Sequence, residues 1–132
     1  MISKYTKELD SLVGRTIFEM EIFSTDKDRL MILFEDGAEV TILDIERFCC
    51  ERRYLTTDSD LTDARGAKIL KWDWREYDDE NLGSCEEYFL FELQTTKGNF
   101  EFHYHNEHNG HYCGWDICVE LNEYKPPERA EP

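Results

Sequence analysis

The stretch from Tyr88 to His105, YFLFELQTTKGNFEFHYH, decides the fold class. Phe89, Phe91 and Leu93 recur at every second position, so Tyr88 to Thr95 reads as a strand with one apolar face. Thr96-Lys97-Gly98-Asn99 turns the chain, and Phe100, Phe102 and Tyr104 then alternate with Glu101, His103 and His105. Further on, Asn109-Gly110 predicts a type I′ hairpin turn, since both of its central positions need positive φ. Pairing across that turn sets Tyr104 opposite Trp115, Phe102 opposite Ile117 and Phe100 opposite Val119, all on one face. A slip of one residue would turn the whole set outward, which favours this register.

The same period governs the first third. Phe18, Met20 and Ile22 alternate with Glu19 and Glu21, and Leu30, Ile32 and Phe34 share a face whose reverse carries Met31 and Leu33. Asp36-Gly37 reads as a two-residue hairpin turn leading to Val40 and Ile42, which completes a three-stranded meander. Residues 4–12 suit a short helix closed by Gly14. From Asp44 to Leu55 the rhythm changes: Ile45, Phe48 and Cys49 fall at helical spacing behind a capping Asp44, predicting one or two helical turns. Thr56 to Arg65 is polar and anchored by Leu61, a strand covers Lys68 to Trp74, and Tyr77 to Glu87 reads as a mobile acidic loop. The expected fold is α+β and mostly β, an antiparallel sheet of about six to seven strands in hairpins and meander with one or two short helices. Residues 1–121 form one compact β-rich domain, and 122–132 (NEYKPPERAEP) form a flexible C-terminal tail.

Charge narrows the function. The 132 residues carry 30 Asp and Glu against 15 Lys and Arg, a formal charge of −15. Direct nucleic-acid binding needs clustered cations that release counterions, so no nucleic-acid partner is expected. The amino terminus MISKYTKELDSLVG lacks the apolar core of a signal peptide and no membrane-length apolar run occurs, so no membrane partner is expected. The expected location is the cytoplasm (of the host cell, if the chain is viral). Cys49, Cys50, Cys85, Cys113 and Cys118 include no C-x-x-C pair, which suits reduced thiols. There is no P-loop, G-x-G-x-x-G, G-x-S-x-G or H-E-x-x-H sequence, and no cofactor is expected.

Four groups of residues carry chemistry. In the hairpin register, His103 and His105 stand on the face opposite the aromatics. There His103 lies beside Asp116, with Glu101 and Cys118 one pair on, a ligand set suited to zinc; otherwise they are histidines on a wet face. Cys49-Cys50-Glu51 offers a nucleophile for a histidine base, or two small buried hydrophobes. Arg47, Arg52 and Arg53 are the densest cationic cluster and suit bidentate phosphate recognition, unless Glu46 and Glu51 neutralise them. The carboxylates as a whole either imitate a nucleic-acid backbone or keep the protein soluble.

Several segments resemble a known pattern. Cys49-Cys50-Glu51, Tyr54-Leu55, Asp60-Leu61-x-Asp63, Gly66 and Ile69-Leu70 resemble a C-C-E … D-L-x-D-L-x-G-x-x-I-L run. Thr95-Thr96-Lys97-Gly98 and His108-Asn109-Gly110-His111-Tyr112 resemble T-x-K-G … S-N-G-Y-Y. Both occur in a group of small phage and bacterial domains that is similar to the Thoeris anti-defence sponges, viral proteins that sequester cyclic ADP-ribose-type immune signals without cleaving them. The likeness spans about residues 12–120. It implies a homo-oligomeric β-rich domain that holds a nucleotide-derived messenger, with Cys49, Cys50, Glu51, Asn109, Gly110 and Tyr112 at motif positions. Cys49, Cys50, Glu51 and Gly110 also admit a structural role. Histidines stand at 103 and 105 where the pattern favours Arg, so phosphate contact would fall to Arg47, Arg52 and Arg53, with Tyr112 free to stack on a base.

Three functions follow from these residues. The first is a non-enzymatic phage anti-defence sponge for a small nucleotide-like ligand. The second is an acidic inhibitor, similar to anti-CRISPR nucleic-acid mimics, that occupies a basic groove on a host defence protein. The third is a metal-dependent enzyme built on the histidine hairpin.

Overall fold

The computed structural model describes residues 2–24, 27–45, 52–79, 85–108 and 116–123. A 3₁₀ turn (Ile2–Tyr5) leads into helix α1 (Thr6–Asp10), and β1 (Ile17–Ser24), β2 (Asp28–Phe34) and β3 (Glu39–Asp44) follow. After β4 (Arg52–Thr56) comes a second 3₁₀ turn (Leu61–Ala64), then β5 (Ile69–Asp79), β6 (Cys85–Thr95), β7 (Gly98–His108) and β8 (Ile117–Asn122). Among the described residues the strands form two antiparallel four-stranded sheets, ordered β1-β2-β3-β8 and β4-β7-β6-β5. The fold is mostly β as expected, but two sheets replace the single sheet predicted from the pattern.

One core serves both sheets. Ile17, Leu30, Ile32, Val40, Ile42, Ile117 and Val119 from the first sheet pack in one cluster with Leu55, Phe89, Phe91, Leu93, Phe100, Phe102 and Tyr104 from the second. Leu9 and Leu12 are also fully buried in it, which is why the short N-terminal segment is ordered as a helix. The Tyr104 hydroxyl donates to the Ile42 carbonyl at 2.9 Å and ties the layers together. Burial pushes the Tyr104 pKa well up, with the Asp44 carboxylate adding to the effect.

The shared core explains the main correction. β7 pairs with β6 and β4, whereas β8 pairs with β3, setting Ile117 opposite Asp44 and Val119 opposite Ile42. The predicted pairs Phe102–Ile117 and Phe100–Val119 therefore do not form, and Trp115 lies outside the described residues. All four of these side chains are nonetheless buried. Alternation identifies the inward face of a strand; it carries no information about which neighbour the strand bonds.

Smaller corrections have local causes. A register shift between Ile17 and Glu19 marks a β-bulge, so Ile17 and Met20 point inward while Phe18 is 42% exposed, against the predicted Phe18–Met20–Ile22 face. At Asp36-Gly37 the Phe34 amide donates to Ala38 O and the Gly37 amide to Phe34 O, with Gly37 at φ 88°. The loop thus has the three-residue form with a left-handed glycine last, not the two-residue turn. The acidic segment 77–87 is largely strand: β5 and β6 pair Tyr77 with Tyr88, Asp78 with Glu87 and Asp79 with Glu86. Arg52 to Leu55 is strand too, rather than the end of a helix, and residues 46–51 lie outside the described residues.

A candidate ligand groove beside a buried ion pair

Strand geometry disperses the predicted cationic cluster. Arg52 and Arg53 are successive β4 residues and so project to opposite faces. Arg53 turns inward, where its Nη1 lies 2.5 Å from Asp44 Oδ2, and the two side chains are only 11% and 7% exposed. Asp44 Oδ1 accepts the Asp116 amide at 3.0 Å, so this carboxylate ties the end of β3 to the start of β8. Arg52 turns outward, 3.9 Å from Glu107 Oε2, with its guanidinium 4.6 Å from the Tyr54 ring centre. Each of the two charges thus has an acid beside it, and the two guanidiniums stand on opposite faces of β4. Arg47, Cys49, Cys50, Glu51, Asn109, Gly110 and Tyr112 lie outside the described residues.

The histidines are likewise separated from their predicted partner. His105 stacks on Tyr54 with ring centres 4.2 Å apart, meets the edge of Tyr88 at 5.0 Å, and shares a 2.8 Å hydrogen bond with Thr56 Oγ1. His103 sits between Thr56 and Leu90 in register, on the second sheet. Asp116 belongs to the run into β8, on the first sheet, because β7 and β8 never pair. Among the described residues no three His, Cys, Asp or Glu side chains gather as a metal site requires. The His103–His105–Asp116 set therefore does not assemble.

A different site takes shape where β1 forms the edge of its sheet. A groove of about 680 Å³ opens between β1 and the segment 57–65, floored by Met20, Ile22 and Leu61. Its rim carries Phe18, Arg65, Thr57 and Thr62, with Glu19 and Glu21 along the strand. The bulge is what presents Phe18: the inserted residue faces solvent instead of the core. Arg65 lies over it, guanidinium carbon 4.7 Å from the ring centre, and its Nε donates to the Phe18 carbonyl at 3.1 Å. Those contacts fix the plane of the guanidinium and leave its two amino groups with no carboxylate partner among the described residues.

Acids lie both beside the groove and on its lining. Asp60 caps the 3₁₀ turn, accepting the Thr62 amide at 3.1 Å and the Thr62 hydroxyl at 2.7 Å. These bonds hold the Asp60 carboxyl below the usual range. Glu21 moves the other way: its hydrogen bond with Glu19, and that neighbour's charge, raise its pKa.

Residues 10–118 match the family model described as a domain of unknown function, DUF7448. The chain belongs to that family. The matched span contains the groove, both sheets up to the first turn of chain in β8, and the buried Asp44–Arg53 pair. The chain is also 31% identical over 99 residues to the uncharacterized protein L278 of Acanthamoeba polyphaga mimivirus, across 70% of this chain and 76% of that protein. No solved structure matches it.

A planar cation, hydroxyls, a half-exposed ring and carboxylates line the groove of this DUF7448 domain. Sequence reading missed this site because Arg65 is a single cation in a polar loop, and because nothing in the alternation of residues 16–22 announces the bulge.

Proposed function

We propose that the domain binds and sequesters a small soluble nucleotide-like ligand without altering it, in the service of a virus against a host signal. The observation that carries this is the Arg65 guanidinium, held over Phe18 beside the groove, its carbon 4.7 Å from the ring centre, with its amino groups unclaimed by an acid among the described residues. A phosphate is the anion such a fork accepts best, through two parallel charge-assisted bonds. Thr57 and Thr62, whose hydroxyl protons go to Glu101 O and Asp60 Oδ1, present oxygens that accept from a sugar hydroxyl, Phe18 and Leu61 supply apolar surface for a base, and Glu19 and Glu21 accept N–H groups. A nucleotide carries all of these complements in one molecule. The mimivirus relative is consistent with a viral setting.

The test is thermal shift with ADP-ribose and a panel of cyclic nucleotides, followed by mass analysis of what is released on denaturation. Mass action predicts a rise of about 10 °C at a hundredfold excess over Kd, for a domain of this size. The ligand should return intact, and Arg65→Gln should markedly reduce the shift while leaving weak, measurable binding. No shift across the panel, or the same shift in Arg65→Gln, overturns the proposal.

The β5–β6 register favours a second reading, attachment to a basic groove of a host protein. It sets Asp78 opposite Glu87 and Asp79 opposite Glu86, so those acids lie along paired strands rather than a loop. A complex made that way loses affinity steeply with added salt.

A further inference from the structure

Thr95-Thr96-Lys97-Gly98 lies outside the groove, at the tip joining β6 to β7, yet it grips the strap of chain that carries Arg65. The Thr96 amide donates to the Lys68 carbonyl at 3.0 Å, and the Lys68 amide donates to Thr96 Oγ1 at 3.0 Å. Lys97 reaches further along the strap, its Nζ donating to the Arg65 carbonyl at 2.5 Å. Thr95 holds the turn that aims Lys97: its Oγ1 accepts the Lys97 amide at 3.1 Å and donates to Gly98 O at 2.7 Å. Gly66 supplies the left-handed backbone of the strap, at φ +83°, with Lys97 Nζ packed 3.4 Å from where a Cβ would stand. From the opposite side, β1 holds the same strap through Gly66 N to Ile17 O at 2.8 Å and Ile17 N to Ala67 O at 2.7 Å.

The strap is therefore clamped by both sheets, with Arg65 at its leading end. Resting on the reading of the groove as a ligand site, we propose that Lys97 is a positioning residue for Arg65: its ammonium fixes the Arg65 carbonyl so that the guanidinium stays over Phe18 and faces the ligand. An exposed arginine left to itself samples many rotamers, and each must be frozen out on binding. Lys97 removes part of that loss in advance, without touching the ligand.

The experiment uses the full chain with ADP-ribose as probe, in wild type, Lys97→Met, Lys97→Arg, Arg65→Gln and the Lys97→Met/Arg65→Gln double variant. Lys97→Met should weaken binding about tenfold, and the double variant should bind no worse than Arg65→Gln, because groups acting through one another are not additive. Lys97→Arg, which keeps a donor, should recover to within about threefold of wild type. Full additivity in the double variant overturns the proposal in favour of direct ligand contact, and wild-type affinity in Lys97→Met overturns it outright. A ligand-free readout runs beside these: the Arg65 Nε–H signal in ¹⁵N NMR, protected by its bond to Phe18, should exchange faster in Lys97→Met and stay protected in Lys97→Arg. Unchanged exchange in Lys97→Met refutes the positioning role even if ADP-ribose fails to bind, whereas loss of protection with no ADP-ribose binding leaves Lys97 in its role and overturns only the ligand reading.

Discussion

Replacing Arg53 by Met decides whether the cation that the sequence offered for a ligand is part of the scaffold. The Arg53–Asp44 pair is buried, with side chains 11% and 7% exposed, and Asp44 also accepts the Asp116 amide. Methionine fills much of the same volume but leaves the Asp44 carboxylate without its cation in a dry site. Removing one partner of a buried pair costs about 3–5 kcal/mol. At roughly 4 °C per kcal/mol for a domain of this length, Tm should fall by about 12–20 °C. Adding Asp44→Asn should restore most of the loss, because the amide still accepts the Asp116 N–H and no charge is stranded; double-mutant arithmetic then isolates the coupling. Arg52→Met serves as the control: its partner lies 3.9 Å away and its side chain is 72% exposed, so a change under about 0.5 kcal/mol is expected. Urea unfolding monitored by tryptophan fluorescence and circular dichroism reads all five proteins (wild type, Arg53→Met, Asp44→Asn, their double variant and Arg52→Met), with m-values checking that the transition stays cooperative. The reasoning fails if Arg53→Met unfolds within about 1 kcal/mol of wild type and at the same time loses ligand, since Arg53 would then be spent on binding rather than on folding.

Two further measurements probe the acids. Glu21 has a raised pKa in the folded chain, so the fold binds that proton more readily than the unfolded chain does, and stability should increase as pH falls through the raised value. In Glu21→Gln that increment disappears; an unaltered pH–stability profile between about pH 6 and pH 4 counts against the Glu19–Glu21 hydrogen bond. Salt separates the two binding readings: screening the −15 chain should raise the association rate of a small anionic ligand, whereas a complex with a basic protein should form more slowly and weaken. Stopped-flow association between about 0.05 and 0.5 M salt gives the sign directly, and a rate that falls with salt for the nucleotide contradicts approach against a negative field.

How much was legible follows from what period two can encode. Burial of Phe89, Phe91, Leu93, Phe100, Phe102 and Tyr104 was readable because an alternating strand against a core has one admissible orientation. Partner choice was not, since Ile117 and Val119 satisfy the same core from β3's side as they would from β7's. Asn109-Gly110 argued for a local hairpin, and the sheets instead exchange strands over a longer connection, which costs little extra loop entropy once both inward faces are covered. The bulge at Phe18 escaped for a related reason: one inserted residue changes the phase of a strand without changing its composition.

The site depends on where cations are neutralised more than on how many there are. Arg15 meets Glu123 at 2.5 Å and Asp36 at 3.5 Å, Arg53 meets Asp44, and Arg52 meets Glu107; in a chain with twice as many acids as bases such pairing is the expected fate of a guanidinium. Arg65 meets a carbonyl and an aromatic face instead. Neither contact supplies a negative charge, so each orients the guanidinium while leaving its attraction for an external anion intact. On the proposed reading, the surrounding acids would act as a filter, repelling a ligand with diffuse negative charge and admitting one that concentrates its charge on a phosphate while offering N–H groups elsewhere. The proposed anion recognition is compatible with this acidity because the pairing that silences the other described arginines named above is absent at the position where the bulge and the strap meet.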